Sequence, residues 1–88
     1  MQYTKMTPGT LYRCDNHLYC LKAGKYYWLA YDHFAQQYIP DWKQQTESDM
    51  DHLDLSLVTV KNLTPGIRVI RDSRGRPIRF QVLTYGSQ

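Results

Sequence analysis

Cysteine is scarce in this chain, long apolar runs are missing, and only five glycines and four prolines punctuate its 88 residues. No segment approaches the roughly 18 consecutive apolar residues of a membrane-spanning helix, and the opening MQYTKMTPGT lacks the apolar stretch of a secretory signal. Small secreted domains usually carry several bridged cysteine pairs, and Cys14 and Cys20 alone give little support for an oxidising compartment. Both thiols are therefore expected reduced and at least partly buried, and the chain is expected to be cytoplasmic.

Enzyme signatures are missing too. The sequence has no phosphate-binding Gly-rich loop, no His-Glu-x-x-His helix and no Gly-x-Ser-x-Gly elbow. Cys14-x-x-His17-x-x-Cys20 offers three zinc-type ligands, but the hairpin derived below puts Cys20 on the face opposite Cys14 and His17, and no fourth ligand lies near. Asp49, Asp51, His52 and Asp54 lack the loop Gly and terminal Glu of a calcium hand. His33 has no nucleophile partner in view and reads as a surface or interface residue. A non-enzymatic protein with no metal and no cofactor is the expectation.

What the chain does have is tyrosine: eight, alongside two Trp and two Phe. These residues suit half-buried pleated surfaces and favour sheet over helix. With 42% of residues hydrophobic and 22% charged, there is material for one folded domain but little for a large cleft.

The net charge of +3 hides three zones. Residues 1–40 form an aromatic-rich β meander with four basic residues against two acidic ones. Residues 41–54 hold five acids against Lys43 and read as a solvated connector or a short surface helix entered near Thr46 or Ser48. Residues 55–88 carry Lys61, Arg68, Arg71, Arg74, Arg76 and Arg79 against Asp72.

Turn signals divide the chain into strands. Asp15-Asn16 and Ala23-Gly24 suit two-residue hairpin turns, which places strands at Thr10–Cys14, His17–Lys22 and Lys25–Tyr31. Thr-Pro-Gly occurs twice, ending at Gly9 and Gly66, each an expected type II turn with glycine at positive φ. Asp32–Ile39 reads equally as a helical turn or a brief strand. Further strands are expected at Ser56–Lys61, Ile67–Arg71 and Pro77–Tyr85, giving a mostly β protein. Five to six short antiparallel strands suggest a small barrel or curled sheet, with at most one or two short helices between Asp32 and Asp54.

Counting across the two turns collects Leu11, Leu18, Cys20, Tyr27, Leu29 and Tyr31 on one face, the expected core. The other face pairs Tyr12 with Tyr19, Tyr19 with Trp28, Leu21 with Tyr26 and Cys14 with His17. This ladder is either covered by other segments or left open, with Tyr12, Tyr19, Tyr26 and Trp28 as a stacking platform.

A four-residue loop at Asp72–Gly75 sets Val69 against Ile78 and Ile67 against Phe80, and puts Arg68 opposite Arg79 and Arg71 opposite Arg76, with Arg74 at the tip. Opposed like charges destabilise a sheet unless an anion lies between them. Either the acidic connector folds over this hairpin, or Arg68, Arg71, Arg74, Arg76 and Arg79 await an anionic partner. That partner is expected to be nucleic acid, or a complex containing it, because arginine forks suit phosphate. The alternative is a protein-binding inhibitor or adaptor that meets an acidic protein surface, of the sort mobile genetic elements encode to block host enzymes.

Overall fold

In the computed structural model, which describes residues 1–84, short antiparallel strands surround a curled five-stranded sheet. In chain order the strands are β1 (Tyr12–Cys14), β2 (His17–Lys22), β3 (Lys25–Leu29), β4 (Tyr31–Asp32), β5 (Gln37–Tyr38), β6 (Lys43–Gln45), β7 (Ser56–Leu57), β8 (Ile67–Arg71) and β9 (Pro77–Val82). The main sheet runs β6-β3-β2-β1-β7, while β4-β5 and β8-β9 are separate two-stranded pairs. Among the described residues the main sheet keeps two open edges, β6 and β7, so of the two expected architectures the curled sheet forms and the barrel does not, with nine strands rather than five or six.

Both two-residue turns form, the second with Ala23 in a left-handed conformation that its Cβ disfavours. Asp15, Asn16, Ala23 and Gly24 all take positive φ, between 51° and 74°. That twist matches the flanking strands and sets the register: Tyr12 faces Tyr19, Tyr19 faces Trp28, Leu21 faces Tyr26 and Cys14 faces His17.

The third strand stops at Leu29 rather than reaching Tyr31. There His17 Nδ1 accepts the Tyr31 backbone N–H at 2.9 Å, and the chain turns into the β4–β5 hairpin. Asp32–Ile39 is therefore a hairpin, not a helical turn. Asp32 Oδ1 accepts the N–H groups of Phe34 and Ala35 and shapes its loop.

The acidic connector is more ordered than its composition suggests. Lys43–Gln45 adds to the free edge of β3, and a short helix, α1 (Glu47–Met50), follows. Thr46 caps it: its hydroxyl accepts from the Asp49 N–H, and the Asp49 carboxylate accepts from the Thr46 N–H. A 3-10 turn at Tyr3–Lys5 adds a second short helical element, outside the expected interval. Ser56–Lys61 is a strand only over Ser56–Leu57.

The sheet has a core on each face. On one side Leu18, Leu29, Tyr31, Tyr38, Val58 and Ile67 cluster, with Leu11, Leu63, Phe80 and Val82 packed against them. On the other, Met6, Met50 and Leu55 cover the ladder, burying Tyr12 and Tyr19 to 4% and 7% exposure. The ladder is thus the floor of a second core.

The two Thr-Pro-Gly turns differ. Gly9 takes positive φ, as a type II turn demands, but Gly66 does not. Its requirement is space: a Cβ there would lie 2.7 Å from Tyr38 Cε2. Tyr38 is fully buried, and its hydroxyl donates to Asn16 O and pairs with the Thr64 hydroxyl, each at 2.6 Å.

Candidate nucleic-acid interface

The β8–β9 ribbon begins in the core and ends in solvent. Ile67, Phe80 and Val82 join the Leu18 cluster, and the Leu83 backbone bridges Gly66 and Tyr38. Toward the tip, every residue from Arg71 to Arg79 is exposed except Asp72.

The register of this ribbon differs from the expected one. Ile67 faces Val82, Arg68 faces Gln81, Val69 faces Phe80 and Ile70 faces Arg79. Two local features account for the slip. The loop holds three residues rather than four, because Asp72 N–H bonds Arg76 O, Gly75 N–H bonds Asp72 O, and Gly75 takes φ +80°. A register step between Ile70 and Arg71 then moves the partner strand again, leaving Ile78 61% exposed. The apolar strip is Ile67, Val69, Phe80 and Val82, with Ile78 outside it.

Arg68 and Arg79 are therefore not directly opposed, nor are Arg71 and Arg76. Arg68 and Arg79 still share one face of the ribbon, as diagonal neighbours around the Arg68–Gln81 and Ile70–Arg79 pairs. Asp72 organises the tip: its Oδ1 accepts from the N–H groups of Arg74 and Arg76, and its Oδ2 lies 3.5 Å from Arg76 Nε. Arg71 donates to Gly75 O. Among the described residues Arg68, Arg71, Arg74 and Arg79 form no ion pair. The acidic connector is occupied elsewhere, as β6 against β3 and as α1 over the ladder, so it does not neutralise these arginines.

The aromatic platform is mostly spent on packing. Tyr12 and Tyr19 are buried and cannot stack on a ligand, and the Tyr12 hydroxyl accepts the Thr7 N–H. Burial pushes the Tyr19 hydroxyl up to about 12, so it stays protonated. Tyr26 and Trp28 are half-buried; Tyr26 meets the Tyr3 ring edge-on and Trp28 meets His17.

One aromatic that sequence reasoning passed over is more accessible. Trp42, just before β6, is 40% exposed. With Cys20, Lys22, Ala23 and Tyr27 it lines an open groove of about 460 Å³. The signal was a tryptophan inside an otherwise polar, acidic segment.

Cys14 and Cys20 are free and fall on opposite faces of β1–β2, so the Cys14–His17–Cys20 triplet does not converge. Burial raises both thiols above their ordinary range, which disfavours the thiolate that metals and electrophiles require. Among the described residues no group of three potential metal ligands gathers, and no helix is long and apolar enough to cross a membrane. The chain matches no protein-family model, no curated protein and no solved structure.

Proposed function

We propose that this protein is a non-enzymatic binding module that engages nucleic acid through the β8–β9 ribbon. The observation that carries the reading is the arginine set Arg68, Arg71, Arg74, Arg76 and Arg79, answered among the described residues by Asp72 alone, on a two-stranded ribbon whose outer part is exposed. Such a ribbon is one of the shapes a duplex major groove admits, and arginine forks make bidentate contacts to phosphate. The slipped register removes the direct charge opposition and leaves Arg68 and Arg79 as diagonal neighbours on one face of the ribbon.

The competing reading is an inhibitor or adaptor seated on an acidic protein, and it draws on Ile78. An exposed isoleucine between Arg76 and Arg79 mixes apolar and guanidinium contacts as protein interfaces do. One experiment separates the two. A fluorescently labelled duplex, titrated at low salt, should bind the wild-type protein and bind the Arg68→Ala/Arg74→Ala/Arg79→Ala variant much more weakly, irrespective of base sequence. Absence of duplex binding at low salt would reject the ribbon as a nucleic-acid interface and leave a protein partner for it.

A further inference from the structure

The face of the main sheet that carries Leu18 and Leu29 is covered along only part of its length. Near β1 and the base of the ribbon it is sealed by Tyr31, Tyr38, Val58 and Ile67. Toward the Ala23-Gly24 turn the same face continues through Cys20 and Tyr27, and these line the open groove beside Trp42.

At the rim of that groove lies a charge arrangement that was expected on the ribbon and occurs here instead. Lys22 and Lys25 are direct cross-strand partners, both exposed, on the face of Cys20 and Tyr27. Neither forms an ion pair among the described residues. Directly opposed like charges cost a sheet stability, and an anion bound between them removes that cost.

The groove therefore combines two recognition elements: the rings of Tyr27 and Trp42 in its lining, and at one end the ammonium group of Lys22, with Lys25 beside it as its cross-strand partner. That combination matches a planar ring joined to an anion. It is less suited to an extended peptide, because the groove lies on the face of the sheet, where strand N–H and C=O groups are already paired with neighbours. We propose that this open end of the sheet is a binding site for an unpaired nucleotide of a single-stranded nucleic acid, with its base against Tyr27 and Trp42 and its phosphate between Lys22 and Lys25. The site is separate from the ribbon and does not depend on the ribbon's binding duplex.

Twelve-residue oligothymidylate, added to the intact protein at low salt, supplies the probe, and intrinsic tryptophan fluorescence supplies the readout. Wild type should be quenched on binding. Trp42→Ala should lose the quench and, with labelled oligonucleotide read by anisotropy, bind about tenfold more weakly, in line with the loss of one stacked base. Lys22→Gln/Lys25→Gln should lower the salt slope of log affinity by about 0.7, the single-strand value for the one phosphate held between them. The Arg68→Ala/Arg74→Ala/Arg79→Ala variant should keep the quench, so failure of the ribbon and failure of the groove are distinguishable. All substituted groove positions are exposed, and a circular dichroism spectrum unchanged from wild type verifies that each variant is folded. No quench at low salt, equal quenching by a twelve-residue oligoglutamate, equal quenching by thymidine monophosphate at matched nucleotide concentration, or a quench unaltered by the lysine changes would each overturn the proposal.

Discussion

The five-stranded sheet and the β8–β9 ribbon are built from the same kind of alternating strand, yet they treat their two faces differently. In the sheet, Leu18 and Leu29 point into one cluster while Tyr12 and Tyr19 point into the other, so both sides of β2 are used for packing. In the ribbon only the strip of Ile67, Phe80 and Val82 reaches a core, and the alternate positions hold Arg68, Arg79 and Gln81 in solvent. Burial removes apolar area from water and stabilises, whereas exposed guanidinium groups contribute little to folding. The sheet is thus the part that holds the molecule together, and the ribbon is the part free to carry binding chemistry.

The sharpest way to break this contrast is to empty the sheet. Leu18→Ala removes a side chain with no exposed surface and should lower unfolding stability by about 2–5 kcal/mol, measured as a fall in the urea midpoint. An effect below about 1 kcal/mol would mean that the two-sided packing does not hold the fold.

A smaller effect is expected where the sheet hands over to the β4–β5 hairpin. His17 Nδ1 must be unprotonated to accept the Tyr31 N–H, and burial, helped by His33 nearby, holds its pKa below the ordinary 6.5. The unfolded chain therefore takes up this proton more readily than the folded one. The stability contributed by His17 is fully present above about pH 6.5 and declines as pH falls through the lowered folded value. His17→Gln, which keeps an acceptor but does not titrate, should flatten the dependence of the urea midpoint on pH between about 7.5 and 5. An unchanged slope would contradict a neutral-histidine clasp at this corner.

The smallest effect belongs to the ribbon. Arg68→Ala/Arg74→Ala/Arg79→Ala should change stability by less than about 0.5 kcal/mol per position, because none of these side chains is buried or ion-paired among the described residues. A loss comparable to that of Leu18→Ala would erase the distinction between the two regions.

The same division explains what could be read from the residues and what could not. The β1–β2–β3 register was legible because Asp15, Asn16 and Gly24 accept positive φ, and a two-residue turn leaves one way to count. The ribbon register was not, because Asp72–Gly75 admits loops of three or four residues and the step at Ile70/Arg71 leaves no mark in composition. Strand β6 was hidden because Lys43-Gln44-Gln45 has no alternation of its own; it forms because β3 has a free edge. For the candidate sites, the arginines could be named from charge alone, since exposure needs no partner. Whether Tyr12 and Tyr19 were open or covered depended on Met6, Met50 and Leu55, which lie far along the chain or outside any strand. Trp42 was missed for the converse reason, as a residue assigned to a solvated connector whose neighbours come from β2 and β3.

The central claim is that the ribbon arginines neutralise phosphates, and the salt dependence of duplex binding measures this most directly. For wild type, log affinity should fall linearly with log salt concentration, and in Arg68→Ala/Arg74→Ala/Arg79→Ala the slope should be shallower by up to about 2.7, roughly 0.9 for each phosphate no longer neutralised. Parallel slopes for the two proteins, or no duplex binding by wild type even at low salt, would contradict it.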